Sequence, residues 1–353
     1  MDTITHALSG ALFAHATGSK TAYKGLSSRL STRARILAGF AAAAFPDIDI
    51  LTRLFGSMTY LNQHRGITHS LLMAPIWAWF LAVIFMWLSR QRYAWRDFYA
   101  ISLLGILAHI GGDLITAYGT MVLAPFSMQK FSYPSTFILD AYFTGIIILA
   151  LLGSVIWKGY SRHITRIGSL VLISYIAFQG TQYWQAHEIA KSYSKQQKLT
   201  DTRIHVFPQP LSPFNWKLMI EQPEQYLVSY VNLRRIQQTH VPASAGFFAR
   251  VDAQYQPLDK LNWLSIKRFG SVEEASLAKL SWQHLLPDIK RFMEYPGLVN
   301  VEQSAEENCA WFIDQRFVME GLRAPFLFGA CLNKIDQEWT SYRRTEDARI
   351  AIQ

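Results

Sequence analysis

Long apolar runs separated by short basic stretches fill the first half of the chain, and shorter mixed segments follow. Four runs, 71–88, 98–118, 137–157 and 167–184, approach the about 20 residues a helix needs to span a bilayer. Two shorter ones, 4–17 and 36–51, can be buried or re-entrant on length alone. Helix is the economical choice for open-ended segments in lipid, because every backbone group must find its partner inside the segment. Trp77, Trp79, Trp87, Trp95, Trp157 and Trp184 lie in or beside the runs and suit interfacial anchoring. Past Trp184 the period changes. Residues 186–199 read as a polar helix or linker, and Pro208, Pro210 and Pro213 then interrupt regular structure. Strand-like runs follow at 214–221, 226–233, 246–255, 298–303, 310–319, 326–333 and 338–343, with helical patterns at 271–286 and 287–295. The expected architecture is an α-helical transmembrane bundle of about five to six helices, followed by a small soluble α+β domain with an antiparallel sheet. The division falls at 1–190 and 191–353.

Composition sharpens this reading. Only 17% of the 353 residues are charged, against about 25% in an ordinary soluble protein. Up to Leu199 the acids are Asp2, Asp47, Asp49, Asp97, Asp113, Asp140 and Glu188, against seventeen Lys and Arg; beyond it the signs nearly balance. The net charge of +9 therefore belongs to the first half, in short loops between apolar runs. That is the positive-inside pattern of membrane topology rather than a nucleic-acid surface, so membrane lipid is the expected partner and nucleic acid is not. Lys20, Lys24, Arg29, Arg33 and Arg35, then Arg90, Arg92 and Arg96, then Lys158, Arg162 and Arg166 form three basic loops. Placing these in the cytoplasm puts the N-terminus and, after six crossings, the second part outside. No signal peptide is expected, since the first apolar stretch follows Asp2 and its positive charges come after it. Cys309 and Cys331, the only cysteines, do not make a thiolate metal site. They can pair if their domain is in an oxidising compartment.

Four motifs then stand out, each in or at the edge of an apolar run: Asp2-x3-His6, Asp47-x-Asp49, His64-x4-His69 and His109-x3-Asp113. Charged groups there are costly unless paired. The proposed topology puts all four toward the outer side. His109 and Asp113 sit four apart in a helical run and so share one face. Imidazole nitrogen and carboxylate oxygen on adjacent turns make half of a zinc or manganese site. The plain alternative for one isolated pair is a helix-internal hydrogen bond, and for Asp47 it is a turn cap; four pairs at matching depth favour a metal. His6, Asp47, Asp49, His64, His69, His109 and Asp113 are the candidate ligands. Seven exceed one tetrahedral ion with an open position, so of one or two ions a two-metal site with a bridging carboxylate fits better. Arg65 and Asp49 are the candidate catalytic groups, Arg65 to orient an anionic oxygen such as a phosphate. Asp2, Thr68 and Asp140 are candidate outer-shell partners. His15 reads as packing or interfacial; His163, His187, His205, His240 and His284 have no partner spacing and read as surface residues.

In this order, Met-Asp-x-x-Thr-His, Pro-Asp-x-Asp, His-Arg-Gly-x-Thr-His-Ser and His-x-x-x-Asp resemble the bacterial YdjM-like (YbcI-like) family, described as membrane-bound metal-dependent hydrolases. The motifs cover roughly residues 1–120, and His64–Ser70 is the most specific. The Pro-rich segment before Trp216 and Gly246–Asp252 are similar to the longer members with a C-terminal domain. The His-x-x-x-Asp helix is also similar to that of zinc-dependent phospholipase C and related nucleases, an analogy of motif alone. The resemblance implies a multi-pass protein of the bacterial inner membrane and a hydrolase. A metal-activated water would attack a phosphoester, such as that of a lipid, at the outer interface. The competing reading is a non-enzymatic membrane protein, a transporter or structural bundle, that uses the His/Asp cluster as an ion site.

Overall fold

The computed structural model describes residues 1–18, 30–242, 244–319, 322, 325–346 and 348–352, apart from the Ser57 side chain. Lys20, Lys24 and Arg29 of the first basic loop lie outside the described residues. The chain divides into two compact units, 1–181 and 182–353.

The first unit is helical: α1 (Thr3–Ala16), α2 (Thr32–Ala44), α3 (Ser57–Gln63), α4 (Ala74–Leu88), α5 (Trp95–Leu114), α6 (Ala141–Ile156) and the start of α7 (Ser161–Gln196). A 3-10 stretch, Phe45–Phe55, follows α2 directly. Small residues set the central crossing. A Cβ added to Gly10 would lie 2.2 Å from the carbonyl oxygen of Gly39, and one on Gly39 would lie 2.4 Å from the Cβ of Ala14. α1 and α2 thus meet backbone to backbone, the small-residue contact that lets helices associate where no hydrophobic force separates them from lipid. Ala42, Ala74 and Ala78 pack against Leu81, Ile106 and Ile110 around the same crossing.

Among the described residues one unbroken helix, α5, is long and apolar enough to cross a membrane. Two bent pairs reach that length only if each is one span: 58–69 with α4, bent by 81°, and α6 with 158–196, bent by 116°. The expected five to six crossings therefore meet helices that stop short. The 14 residues of α1 rise only about 21 Å at 1.5 Å each, against a hydrocarbon core of about 30 Å.

The second unit holds two antiparallel meanders. β1 (Arg203–Pro208), β2 (Asn215–Glu221), β3 (Gln225–Asn232) and β4 (Leu264–Lys267) form the first in sequence order. β5 (Pro296–Gln303), β6 (Glu307–Asp314), β7 (Leu327–Asn333), β8 (Trp339–Arg344) and β9 (Arg349–Ile352) form the second. Trp216, Leu218 and Ile220 on β2 pack with Val206, Val231 and the Ala186 and Ala190 face of α7. Short helices α8 (Phe247–Ala253) and α10 (Pro287–Phe292) flank α9 (Val272–His284) in sequence. α9 opens with a Ser271/Glu274 capping box, which ties down two backbone donors at its first turn. Where one sheet is expected there are two, and the strand expected at 246–255 is helix α8. The Arg235 guanidinium pairs with the Asp252 carboxylate and donates to the carbonyls of Asp252 and Tyr255. Those contacts fix the end of that turn and override the β-propensity of Phe247 and Phe248. Cys309 and Cys331 form a disulfide between directly opposed positions of β6 and β7.

Candidate metal centre

Ordinary local structure places each site residue. Asp2 caps α1, its carboxylate accepting from the backbone N–H and the hydroxyl of Thr5, and His6 one turn on is buried. Pro46 cannot continue the α-helical ladder. The tighter 3-10 turn aims Asp47 and Asp49 inward while Ile48, Ile50 and Leu51 stay about half exposed. Arg65 adopts left-handed backbone (φ 61°), and a Cβ on Gly66 would lie 2.7 Å from the Gln63 carbonyl oxygen. The sharp reversal built by this pair returns both His64 and His69 to Asp49. His109 and Asp113 lie one turn apart on α5, fully buried.

Three donor atoms converge, with a fourth beside them. His69 Nε2 and His109 Nε2 are 3.0 Å apart, and Asp113 Oδ2 lies 3.3 and 3.4 Å from them. Asp47 Oδ1 lies 3.7 Å from His69 Nε2 and 3.5 Å from His109 Nε2. Bonds of about 2.0–2.1 Å to a tetrahedral zinc-like ion set donor atoms about 3.3–3.4 Å apart, so the His69–His109–Asp113 spacing fits three ligands of one such ion.

Hydrogen bonding makes the same case from the protons. His109 Nδ1 is 2.6 Å from the Ala43 carbonyl oxygen, which can only accept, so this nitrogen carries the proton and Nε2 presents a lone pair. His69 Nδ1 meets Thr68 Oγ1 at 3.0 Å and Asp49 Oδ2 at 3.5 Å; a proton directed to that carboxylate leaves its Nε2 bare as well. Asp113 Oδ2 is buried without a hydrogen-bond partner among the described residues. With both rings neutral, lone pairs on His69, His109 and Asp113 face one another, more than a single proton can bridge, and a divalent cation would satisfy all three.

The surroundings hold these groups in place. Asp113 Oδ1 receives the Arg65 guanidinium at 2.9 Å, His6 Nε2 at 3.0 Å and the Met1 amino nitrogen at 2.6 Å. The ring of His6 stacks on that of His109 at 3.7 Å, and His6, Asp47 and His109 form a second group within reach of one ion. Gly112 leaves the space: a Cβ there would stand 3.0 Å from His6 Cε1. Asp49 accepts from His64 Nδ1 at 2.9 Å and from the backbone N–H of Arg65 at 2.9 Å.

All seven candidate ligands therefore lie in one network, and Thr68 touches it through His69. Asp2 is engaged in capping α1. Asp140 caps α6 through the Tyr142 and Phe143 N–H groups and accepts from the Tyr175 hydroxyl; neither side chain has a hydrogen bond to the cluster among the described residues. Arg65, expected to face an anionic substrate oxygen, has only 2% of its side chain exposed and donates to Asp113 and Thr116. Thr3, whose hydroxyl donates to Asp47 Oδ2 at 2.6 Å, Thr116 and the Ala43 carbonyl were not legible as site groups. Thr3 shares a helix face with His6 at i,i+3, a signal too common to single it out, and a main-chain carbonyl leaves none. In the second unit, Cys309 and Cys331 lie near Glu307, but a disulfide removes both thiolates as ligands.

A helical unit with a helix long and apolar enough to cross a membrane and a buried His/Asp cluster points to a membrane protein with candidate metal-binding groups. The chain belongs to the YdjM inner membrane protein family, whose profile matches residues 1–186. A relative from Bacillus subtilis (strain 168), "Uncharacterized protein YfhP", is 29% identical over 139 residues, 39% of this chain and 41% of its own. The chain thus spans about two fifths of the length of that curated relative. No solved structure matches.

Proposed function

We propose that this protein is a membrane-embedded, metal-dependent hydrolase acting on a phosphoester, with a lipid phosphoester as the natural form of substrate. The observation that carries the reading is the convergence of His69 Nε2, His109 Nε2 and Asp113 Oδ2 at distances that fit one tetrahedral ion, with Asp47 Oδ1 3.5–3.7 Å from both imidazoles. Zinc suits this donor set, and manganese is the second choice. Bound there, the cation supplies Lewis-acid chemistry, activating water and polarising a phosphoryl oxygen.

The chain's own groups divide the remaining work. Arg65 neutralises and fixes Asp113, acting as a positioning residue. Asp49 orients His64 and aligns His69. Side chains of Asp47 and His64 are 14% and 17% exposed, the least buried of the cluster, so substrate reaches the centre along that edge. Apolar residues of the adjoining 3-10 stretch, Leu54 and Phe55, are about four-fifths exposed, which supports a substrate carrying an apolar tail. In the proposed topology the bundle crosses the inner membrane five to six times, and the site and the second unit face outward. The Cys309–Cys331 disulfide suits that oxidising side.

The test is metal analysis of the full chain purified without chelator, paired with phosphate release from phosphatidic acid and from a p-nitrophenyl phosphoester. Stoichiometric zinc or manganese is expected, with both metal and activity lost in His69→Ala and Asp113→Ala. An inert bundle would retain no metal, and retention in both variants would sink the site assignment.

A further inference from the structure

At the opposite end of α1 from the metal centre, positive charge gathers with no acid to balance it among the described residues. Arg35 donates to the Ala14 carbonyl at 3.2 Å and to Thr17 Oγ1 at 3.2 Å. Arg166 donates to the Ala16 carbonyl at 3.0 Å and to the Gly18 carbonyl at 3.4 Å. Those contacts cap the end of α1, a structural duty that accounts for both residues. Arg162 has no such duty. Its Nε is buried without a partner among the described residues, and a Cβ on Gly18 would stand 3.5 Å from it. His15 is 7% exposed, and its Nδ1 is likewise buried and unpartnered. Arg162 and Arg35 are close enough to repel each other and to act on His15.

Backbone dipoles add to the same sign. Arg33 and Arg35 stand in the first turn of α2, and Arg162 and Arg166 near the start of α7; neither helix has an acid in its first turn. Cations are opposed by the partial positive charge of a helix N-terminus, which instead favours an anion. Residues 3–46 and 141–187 contain no Asp or Glu. Asp97, the one acid among the basic loops, accepts from the Ala94 N–H as part of the α5 cap. A positive-inside bias requires bases near the membrane, but not that two arginines act on a buried histidine with one guanidinium unspent among the described residues.

We infer that Arg162, with Arg35, Arg166 and His15, forms a binding site for a phosphate-type oxyanion, supplied by an anionic lipid headgroup or by free phosphate. Guanidinium donors match phosphate oxygens in geometry as well as charge. The anion would relieve the repulsion among the arginines and tie the starts of α2 and α7 to the end of α1. This site is independent of the metal reading.

The experiment uses the full chain in detergent, titrated by native mass spectrometry with dioleoylphosphatidylglycerol, with dioleoylphosphatidylcholine as control, and separately with inorganic phosphate. One tightly held phosphatidylglycerol per chain is expected, weakened about tenfold or more in Arg162→Gln, the loss of one charge-assisted pair, and partly kept in Arg162→Lys. Phosphate binding that is lost in Arg162→Gln while phosphatidylglycerol shows no preference would assign the site to a soluble anion and still support it. Equal binding by wild type and Arg162→Gln, or an equal loss in Arg96→Gln on another loop, overturns it. Metal content and thermal unfolding of each variant report folding, so a failed fold is not read as a failed site; if Arg162→Gln does not fold, Arg162→Lys decides by the same comparison.

Discussion

Asp113 serves three purposes with two oxygen atoms. Oδ1 neutralises Arg65 and accepts from His6, while Oδ2 is left bare toward His69 and His109. A buried carboxylate is tolerable only when its charge is matched, and the split between oxygens lets the residue be ion-paired and still have a lone pair to give. Its neighbour sets the tolerance of the site. Gly112→Ala puts a methyl 3.0 Å from His6 Cε1, pressing on the ring stacked against His109. We expect metal affinity to fall by about tenfold, the usual effect of disturbing groups behind the ligands, with the helix intact. Competition with a chromophoric chelator measures it, and unchanged affinity would show that His6 does not set the geometry. The candidate ligands were legible in the sequence because imidazoles and carboxylates inside apolar runs are anomalous. The role of Arg65 was not: a guanidinium aimed at substrate and one spent on a buried acid look alike in sequence, and only the fold-back at Arg65–Gly66 decides.

At the scale of elements, legibility followed length. Runs with one unbroken apolar character gave α4, α5 and α6 within a few residues and the middle of α7, which continues through the polar segment to Gln196, and paired alternating segments gave β2, β3, β5, β6, β7 and β8. β1 was hidden by the prolines that follow it, and β4 and β9 are four residues each, too short to show a period. His205 on β1 illustrates what was lost. Read as a surface residue, it is half-buried, 2.9 Å from Glu221 Oε2 and 3.2 Å from the Tyr295 hydroxyl. Burial lowers its pKa below the ordinary value and outweighs the opposing pull of Glu221, whose charge is shared with Arg268. The unfolded chain therefore takes up a proton more readily than the folded one. The contribution of this residue to stability is complete above the ordinary histidine value of about 6.5 and declines as pH falls from there toward the lower folded value. His205→Gln is expected to flatten the stability–pH slope in that window, read by denaturant unfolding at a series of pH values; an unchanged slope would assign the pH dependence elsewhere.

For the whole molecule, the proposed topology makes a claim about sides. With Cys309 and Cys331 replaced by serine, a cysteine introduced at Ile335, 78% exposed, is expected to react with a membrane-impermeant maleimide in intact cells. One at Arg92 is expected to react only after the membrane is opened. The reverse pattern would invert the orientation drawn from loop charge and place the metal centre on the cytoplasmic side.

The Ala43 carbonyl holds the proton of His109 at Nδ1, and because it is main chain no single side-chain exchange removes it. The tautomer at the centre is thus buffered against point mutation in a way the ligands are not. Only a shift of the whole last turn of α2 can undo it, and that turn is held by the Gly10–Gly39 contact on one side and by Pro46 on the other. Substitutions that silence the centre from a distance should therefore cluster at glycines and prolines that touch no ligand, and a mutational scan would recover the backbone path that keeps one hydrogen atom where it is.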